Sequence, residues 1–256
     1  MTSTPPSQDS GTPGPREGSA SPGLIWTRPP KEKRERPTRE AIVAAAIHLA
    51  DTEGLDAVSI RRVAAALRTR PMDLYGYFAR KEELMDLMVD EAFAGALVDG
   101  TPNDWRDALS VIAHSLRALC LAHPWIVTEA GRQAPIGPNV MRHIEQSLEA
   151  TAALDIDPAK RLALVRAVDT YTMGHAGISL ARHRPQKGGS ADDRDWQTAA
   201  DAYLTGLVGS GDFPHLANFG VARLLQQGEY DEPTFEAGLN WLLSGIAADV
   251  EAAPTA

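Results

Sequence analysis

Four arginines, Arg61, Arg62, Arg68 and Arg70, fall within ten residues of a chain whose formal net charge is −9. They lie in the stretch SIRRVAAALRTRPMDLYGYF, before and inside the break between two short helical patterns. The second pattern carries Pro71, Met72, Asp73, Tyr75, Gly76 and Tyr77. Arginine near a helix start and a tyrosine hydroxyl are good phosphate donors. A methionine suits a thymine methyl, and a carboxylate accepts from a cytosine amino group. Together these residue types can read nucleic acid. Lys31, Lys33, Arg34, Arg36 and Arg39 come just before, in TRPPKEKRERPTR, where a flexible arm would track phosphates. By spacing alone, a helical bundle with a solvated charged face accounts for the corner equally well.

Other candidates for chemistry are dispersed. The seven histidines are dispersed along the chain, with no HxxxH or HExxH spacing. Cys120 is the single cysteine, which excludes an internal disulfide, a CxxC pair and a multi-cysteine metal site. Ser, His and Asp show no motif that joins a nucleophile to a base. No catalytic residue, metal ligand or cofactor is therefore expected. Trp105, Trp125, Met141 and Tyr171, with the polar Thr128, Gln133, Asn139 and His175, have the composition of an apolar effector cavity. Each of the large ones, taken alone, also suits a helical core.

The elements that must position these residues are helices throughout. Thr38 is placed to cap a first helix with Ile42, Ala45, Ala46 and Leu49 on one face, and Gly54 to stop it. A second helix starts at Val58–Ser59, and a third is expected from Arg70 or Pro71 to Phe78, its proline tolerated in the first turn. A fourth begins near Lys81. Further helices are expected over Trp105–Leu121, after His123–Pro124, over Met141–Leu154, and from Asp157–Pro158 to about His183. Shorter ones follow around Trp196–Leu207 and Ala217–Gln226, and a last one runs from Glu232 to about Val250. The fold class is all-α, with a boundary near residues 95–103.

Residues 1–37 are rich in Pro, Ser, Gly and Thr, lack apolar periodicity, and are expected to be a disordered tail with a basic end. They lack the run of a signal peptide, and no apolar segment reaches a membrane span, so a cytoplasmic location is expected. Charge is unevenly distributed. Residues 1–36 carry six Lys/Arg against four Asp/Glu, residues 37–81 carry seven against five, and the rest carry 12 against 25. An acidic body follows a slightly basic head.

The segment AIVAAAIHLADTEGLDAVSIRRVAAALRTRPMDLYGYFARKEELMDLM resembles the DNA-binding domain of the tetracycline-repressor (TetR) family. The likeness rests on Gly54, VSIRRVAAAL, LYGYF and the KEEL at Lys81–Leu84. Arg68-Thr69 stands where the family usually has Gly-Val, and Gly76 where an aromatic or polar residue is usual. VDTYTMGHAG, FPHLANF, FEAGLNWLLSGI and HPWIV…GPNVMRHIEQSLEAT resemble the effector domain of the branch that includes the tetracycline repressor itself. The resemblance implies an N-terminal three-helix helix-turn-helix domain over 38–95 and a helical ligand-binding and dimerisation domain over 96–252. Carried over by position, it implies that Arg61, Met72 and Asp73 approach bases, and that Tyr75, Tyr77 and Lys81 contact phosphate; Arg68, Arg70 and Pro71 complete the corner. It further implies a homodimer on a palindromic double-stranded operator, released by a small molecule. The position of the family's magnesium ligand gives Ala130 or a neighbour, so no metal is expected. An effector-independent helical DNA-binding dimer and a helical enzyme are the alternatives.

Overall fold

Capping residues set the limits of the helices in the computed structural model, which describes residues 36–129, 135–183, 191–219 and 231–252. The Thr38 hydroxyl accepts from the Ala41 amide at 3.2 Å and starts α1, Arg39–Glu53. Gly54, at φ 87°, stops it. The Ser59 hydroxyl accepts from the Arg62 amide at 3.3 Å and starts α2, Ile60–Ala66. Helix α3 spans Pro71–Leu74 and α4 spans Lys81–Phe93. The second half of the chain holds α5, Trp105–Ala122; α6, Trp125–Glu129; α7, Pro138–Ala150; and α8, Pro158–His183. It ends with α9, Ala191–Gly209; α10, Pro214–Ala217; and α11, Glu232–Ala252. No strand occurs among the described residues, and the fold is all-α. No helix among them is long and apolar enough to cross a membrane. The expected tail up to Glu35, Ala130, Gln133, residues 184–190 of the loop expected over 184–195, and the far end of the helix expected over Ala217–Gln226 lie outside the described residues.

Four elements differ from expectation: α9 begins at Ala191, inside the segment expected as a loop over 184–195, and α10 covers Pro214–Ala217, ahead of the helix expected over Ala217–Gln226. The third helix is regular only over Pro71–Leu74, because Gly76 is a poor helix former and Tyr77 closes back on the Leu74 carbonyl at 2.9 Å. The seventh begins at Pro138 rather than Met141, since a first-turn proline loses no hydrogen bond there.

Packing follows the 3.6-residue period. In α1 the buried residues are Ile42, Val43, Ala46, Leu49 and Ala50. They meet Val63, Leu74 and Phe78 of the corner, and Leu84, Met85, Met88, Val89, Ala92 and Phe93 of α4. The same cluster continues through Ala96 into Leu116, Cys120, Trp125, Ile126 and Val140, so apolar packing runs without interruption past residues 95–103. A second cluster joins Leu109 and Ala113 of α5 to Leu164, Val165 and Val168 of α8 and to Phe235, Leu239 and Leu243 of α11.

A polar joint fastens α4 to α7. Gly137, at the N-cap of α7, has no side chain to satisfy the first amides. Asp90 of α4 does so instead, its Oδ1 accepting from the Asn139 amide at 2.8 Å and the Val140 amide at 3.2 Å. The Asn139 side chain returns a bond to the Asp90 carbonyl at 3.0 Å. A Cβ on Gly137 would run into the Asp90 carboxylate. Asp90→Ala is expected to lower stability by about 1 kcal/mol, the usual worth of a helix cap. Gly137→Ala is expected to cost at least as much, both read from urea unfolding.

Candidate nucleic-acid interface

The corner between α2 and α3 is built by backbone bonds that close α2. The Arg68 amide donates to the Ala65 carbonyl at 3.0 Å and the Thr69 amide to the Ala64 carbonyl at 2.9 Å. This is the paired closure that normally uses glycine in the left-handed conformation. Here Arg68 occupies that position, at φ 52°. The turn is kept, at the expense of a backbone conformation that disfavours a side chain. The gain is a guanidinium at the tip of the corner.

Asp73 is used differently from the base-edge role implied for it. Its carboxylate accepts from the Arg70 amide at 3.3 Å, from the Thr69 hydroxyl at 3.1 Å, and from the Arg70 guanidinium at 3.1 and 2.8 Å. It thus caps its own helix and holds Arg70. Hydrogen bonding from Arg70, reinforced by Thr69 and by the Arg70 charge, lowers its pKa to about 2. A folded-state value below the unfolded one means that the cap contributes above the ordinary carboxylate range and is lost only as pH falls toward 2. At neutral pH the Arg70–Asp73 pair is charged on both sides.

Tyr77 is also engaged. Its hydroxyl donates to the Pro37 carbonyl at 2.5 Å, tying the turn after α3 to the chain just before α1. Arg62 pairs with Glu53 at 2.5 Å. What the corner presents outward is Arg61, Arg68, Arg70, Pro71, Met72, Tyr75 and Lys81. Met72 is 75% exposed in the first turn of α3, an apolar side chain with no packing role. Arg61, Arg68, Arg70 and Lys81 are exposed on the same run of short elements.

The residues expected to line an effector cavity do not gather at one place. The Trp125 indole N–H donates to Asp51 of α1 at 2.7 Å, so this ring braces α6 against α1. Asn139 is committed to Asp90 and borders a cleft of about 460 Å³ between α1, α4 and the approach to α7, which includes none of the other expected residues. Thr128 and Met141 are exposed. Trp105 packs on the second core, with the Arg106 guanidinium 4.9 Å from its ring.

Tyr171 and His175 do come together. Tyr171 stacks on Phe235, with centroids 5.6 Å apart, and its hydroxyl donates to the Phe235 carbonyl at 2.8 Å. His175 meets the same ring edge-on at 5.2 Å. Burial, followed by the charge of Arg117, holds its imidazole below the usual value and therefore neutral. Arg117 is buried with its guanidinium 5.0 Å from the Phe235 ring and an ion pair to Glu232. Burial pushes the Cys120 thiol up to about 12, which leaves no thiolate for chemistry.

Three polar links were not foreseen. Asp90 joins α4 to α7, and Asp51 joins α1 to Trp125 and to His123 at 2.8 Å. A third chain begins at the Val98 amide, which donates to Gln146 at 3.1 Å. Gln146 donates to His143 at 3.3 Å, and His143 to Asp169 of α8 at 3.2 Å. Their sequence signal is faint. Only GP at 137–138 marks a helix start without its own cap, and that is the one clue that a carboxylate must come from elsewhere.

Comparison with known proteins agrees with the all-α fold. Residues 42–88 match the profile of bacterial regulatory proteins of the tetR family. Residues 99–250 match that of the tetracyclin repressor-like C-terminal domain. An HTH-type transcriptional regulator of Saccharopolyspora erythraea is 31% identical over 233 residues, 89% of this chain and 93% of that protein. The HTH-type transcriptional repressor DrrR1 of Streptomyces coeruleorubidus is 30% identical, covering 76% of this chain and 74% of its own. The structure of ActR from Streptomyces coelicolor in complex with actinorhodin superposes with a TM-score of 0.69 at 26% identity, over 83% of this chain and 96% of that one.

Replacing Arg68 by Gly relieves the left-handed backbone. The variant is expected to be more stable by about 1 kcal/mol in chemical denaturation, which no loss of a favourable packing contact would produce.

Proposed function

The chain belongs to the TetR family of transcriptional regulators, and on that premise we propose that it is a dimeric repressor released from a palindromic operator by a small molecule. The observation that carries this reading is the exposed set at the corner: an apolar Met72, 75% exposed, on short helices that also expose Arg61, Arg68 and Arg70, with Lys81 exposed at the start of α4, on an otherwise acidic molecule. In this reading α3 enters the major groove and α2 crosses the backbone. Arg61 and Met72 approach base edges, and Arg68, Tyr75 and Lys81 hold phosphates. Asp73 and Tyr77 serve indirectly, by fixing Arg70 and the start of α1.

A dimer is supported by the outer faces of α8 and α11. Along α8, Ala163, Ala167, Thr170, Gly174 and Ile178 are exposed at helical spacing; along α11, Trp241, Ser244, Gly245 and Ala248 are. Trp241 is 76% exposed. Small residues flanking a large one allow two helix pairs to approach closely, as a four-helix interface requires. Two-fold symmetry would then set two copies of α3 about one DNA turn apart.

Effector release is supported by the attachment of α4. A ligand among α5, α8 and α11, near Tyr171 and His175, would act through α7 and Asp90 on α4 and so on the corner. ActR binds actinorhodin, which makes actinorhodin the first compound to try. It is expected to reduce operator retardation, and retention of DNA at every ligand concentration across a broad aromatic library would refute release.

Selection of bound duplexes from a random pool is expected to return an inverted repeat. Lys81→Ala should weaken binding to all sequences and reduce the salt slope by about one, whereas Met72→Ala should relax base preference instead. Equal effects of the two on all sequences would overturn the docking of α3.

Trp241→Glu is expected to convert the dimer to a monomer in sedimentation while leaving the helical circular dichroism unchanged. A dimer that survives this change would place the interface elsewhere.

A further inference from the structure

His114 of α5 meets Glu232 and Glu236 of α11, and the ring nitrogen and carboxylate oxygens they offer lie within 4.8 Å of one another. We propose that these three side chains bind a divalent transition-metal ion, with Zn²⁺ as the representative, and so clasp the start of α11 to α5. The site is separate from the corner and does not depend on how the protein meets DNA.

The orientation of the imidazole carries the argument. His114 Nδ1 lies 2.7 Å from the Ser110 carbonyl, so Nδ1 carries the proton and donates there. Nε2 is thereby turned toward both carboxylates, 3.4 Å from Glu232 Oε1 and in contact with Glu236 Oε1. A neutral ring would set its lone pair against anionic oxygens. A cation must lie between them: without metal it is a second proton shared with Glu236, which a metal ion would displace as the Glu236 carboxylate draws back to ligand distance. Metal-binding histidines commonly donate their other N–H to a carbonyl in just this manner, which fixes tautomer and ring direction.

The carboxylates are held in a compatible way. Glu232 and Glu236 are one turn apart on α11 and share a face. Buried Arg117 grips Glu232 through Oε2 and leaves Oε1 facing His114. Before any cation is added, two carboxylates and one guanidinium leave a net negative charge. One imidazole nitrogen and two carboxylate oxygens suit Zn²⁺, Co²⁺ or Ni²⁺ better than Ca²⁺, whose shell is built from oxygen alone. Three protein ligands on a half-exposed face leave a fourth position open to water. Two of these ligands have outer-shell support from residues outside the trio, Ser110 and Arg117, which a chance surface group of acids lacks.

The site also touches the interior that the effector reading uses. Phe235 contacts His114 edge-on at 5.2 Å and His175 at 5.2 Å. A metal at His114 would stiffen that wall.

Zn²⁺ titrated calorimetrically into EDTA-treated full-length protein is expected to bind one ion per chain and to raise the melting temperature. Co²⁺ should give visible d–d bands in the wild type, a readout that needs no variant. His114→Ala and Glu236→Gln should each weaken binding by about tenfold or more, and Arg117→Lys by a smaller factor. His48→Ala, exposed on α1, should bind as the wild type does. Absence of stoichiometric uptake, or unchanged uptake in both His114→Ala and Glu236→Gln, overturns the proposal and leaves a shared proton as the cation.

Discussion

Helix α4 buries Leu84, Met85, Met88, Val89, Ala92 and Phe93 in a core supplied from both halves of the chain. Ile42, Ala46 and Leu49 come to it from α1; Leu116, Cys120, Ile126 and Val140 come from α5, α6 and α7. A helix with two such neighbourhoods cannot shift against one without disturbing the other, because close-packed interiors deform by discrete repacking. The short helices of the corner depend on this arrangement. Helices as short as α2 and α3 gain little from their own hydrogen bonds, so their positions come from burying Val63, Leu74 and Phe78 against α1 and α4.

Charge placement is compatible with this economy. The body is acidic, and the corner exposes positive groups at its tip while its internal ion pairs, Arg70 with Asp73 and Arg62 with Glu53, keep the backbone in place. These exposed pairs contribute little to overall stability; their effect is to fix direction. Arg68 shows the balance most clearly. The turn closes as it would with glycine, and a positive side chain is carried there despite the conformational cost, a pattern associated with functional sites.

The fold was legible to the extent that local chemistry determines it. Thr38, Gly54, Ser59 and Asp157 are caps that can be read from residue type, and the structure uses each of them. The corner was legible for the same reason, since its spacing and its proline are local. Its finer roles were not. Asp73 as a cap and Tyr77 as a tie to Pro37 depend on where side chains turn after the chain has closed on itself. The effector set was least legible. Trp125 has the type of a cavity residue, but its partner Asp51 lies 74 residues earlier, and no local pattern announces such a pairing. Tyr171 and His175 were found together because one helix carries both, one turn apart.

If a ligand releases the protein from DNA as proposed, the energy of the α4–α7 joint sets the scale on which the two can oppose one another. Coupling between allosteric sites is typically about 1–3 kcal/mol, and a helix cap is worth about 1 kcal/mol. The Asp90 bonds to α7 are therefore of the same order as the whole signal, so a ligand need not rebuild the core to alter DNA affinity. It needs only to prefer an α7 whose first turn is uncapped, or differently capped, while the apolar contacts of α4 persist. The Gln146–His143–Asp169 chain supplies a parallel route, since it connects Val98, just beyond α4, through α7 to α8. If α8 is a subunit-contact helix, a shift at α7 reaches the partner as readily as it reaches the corner. In the proposed dimer both copies of α3 would then respond to one event.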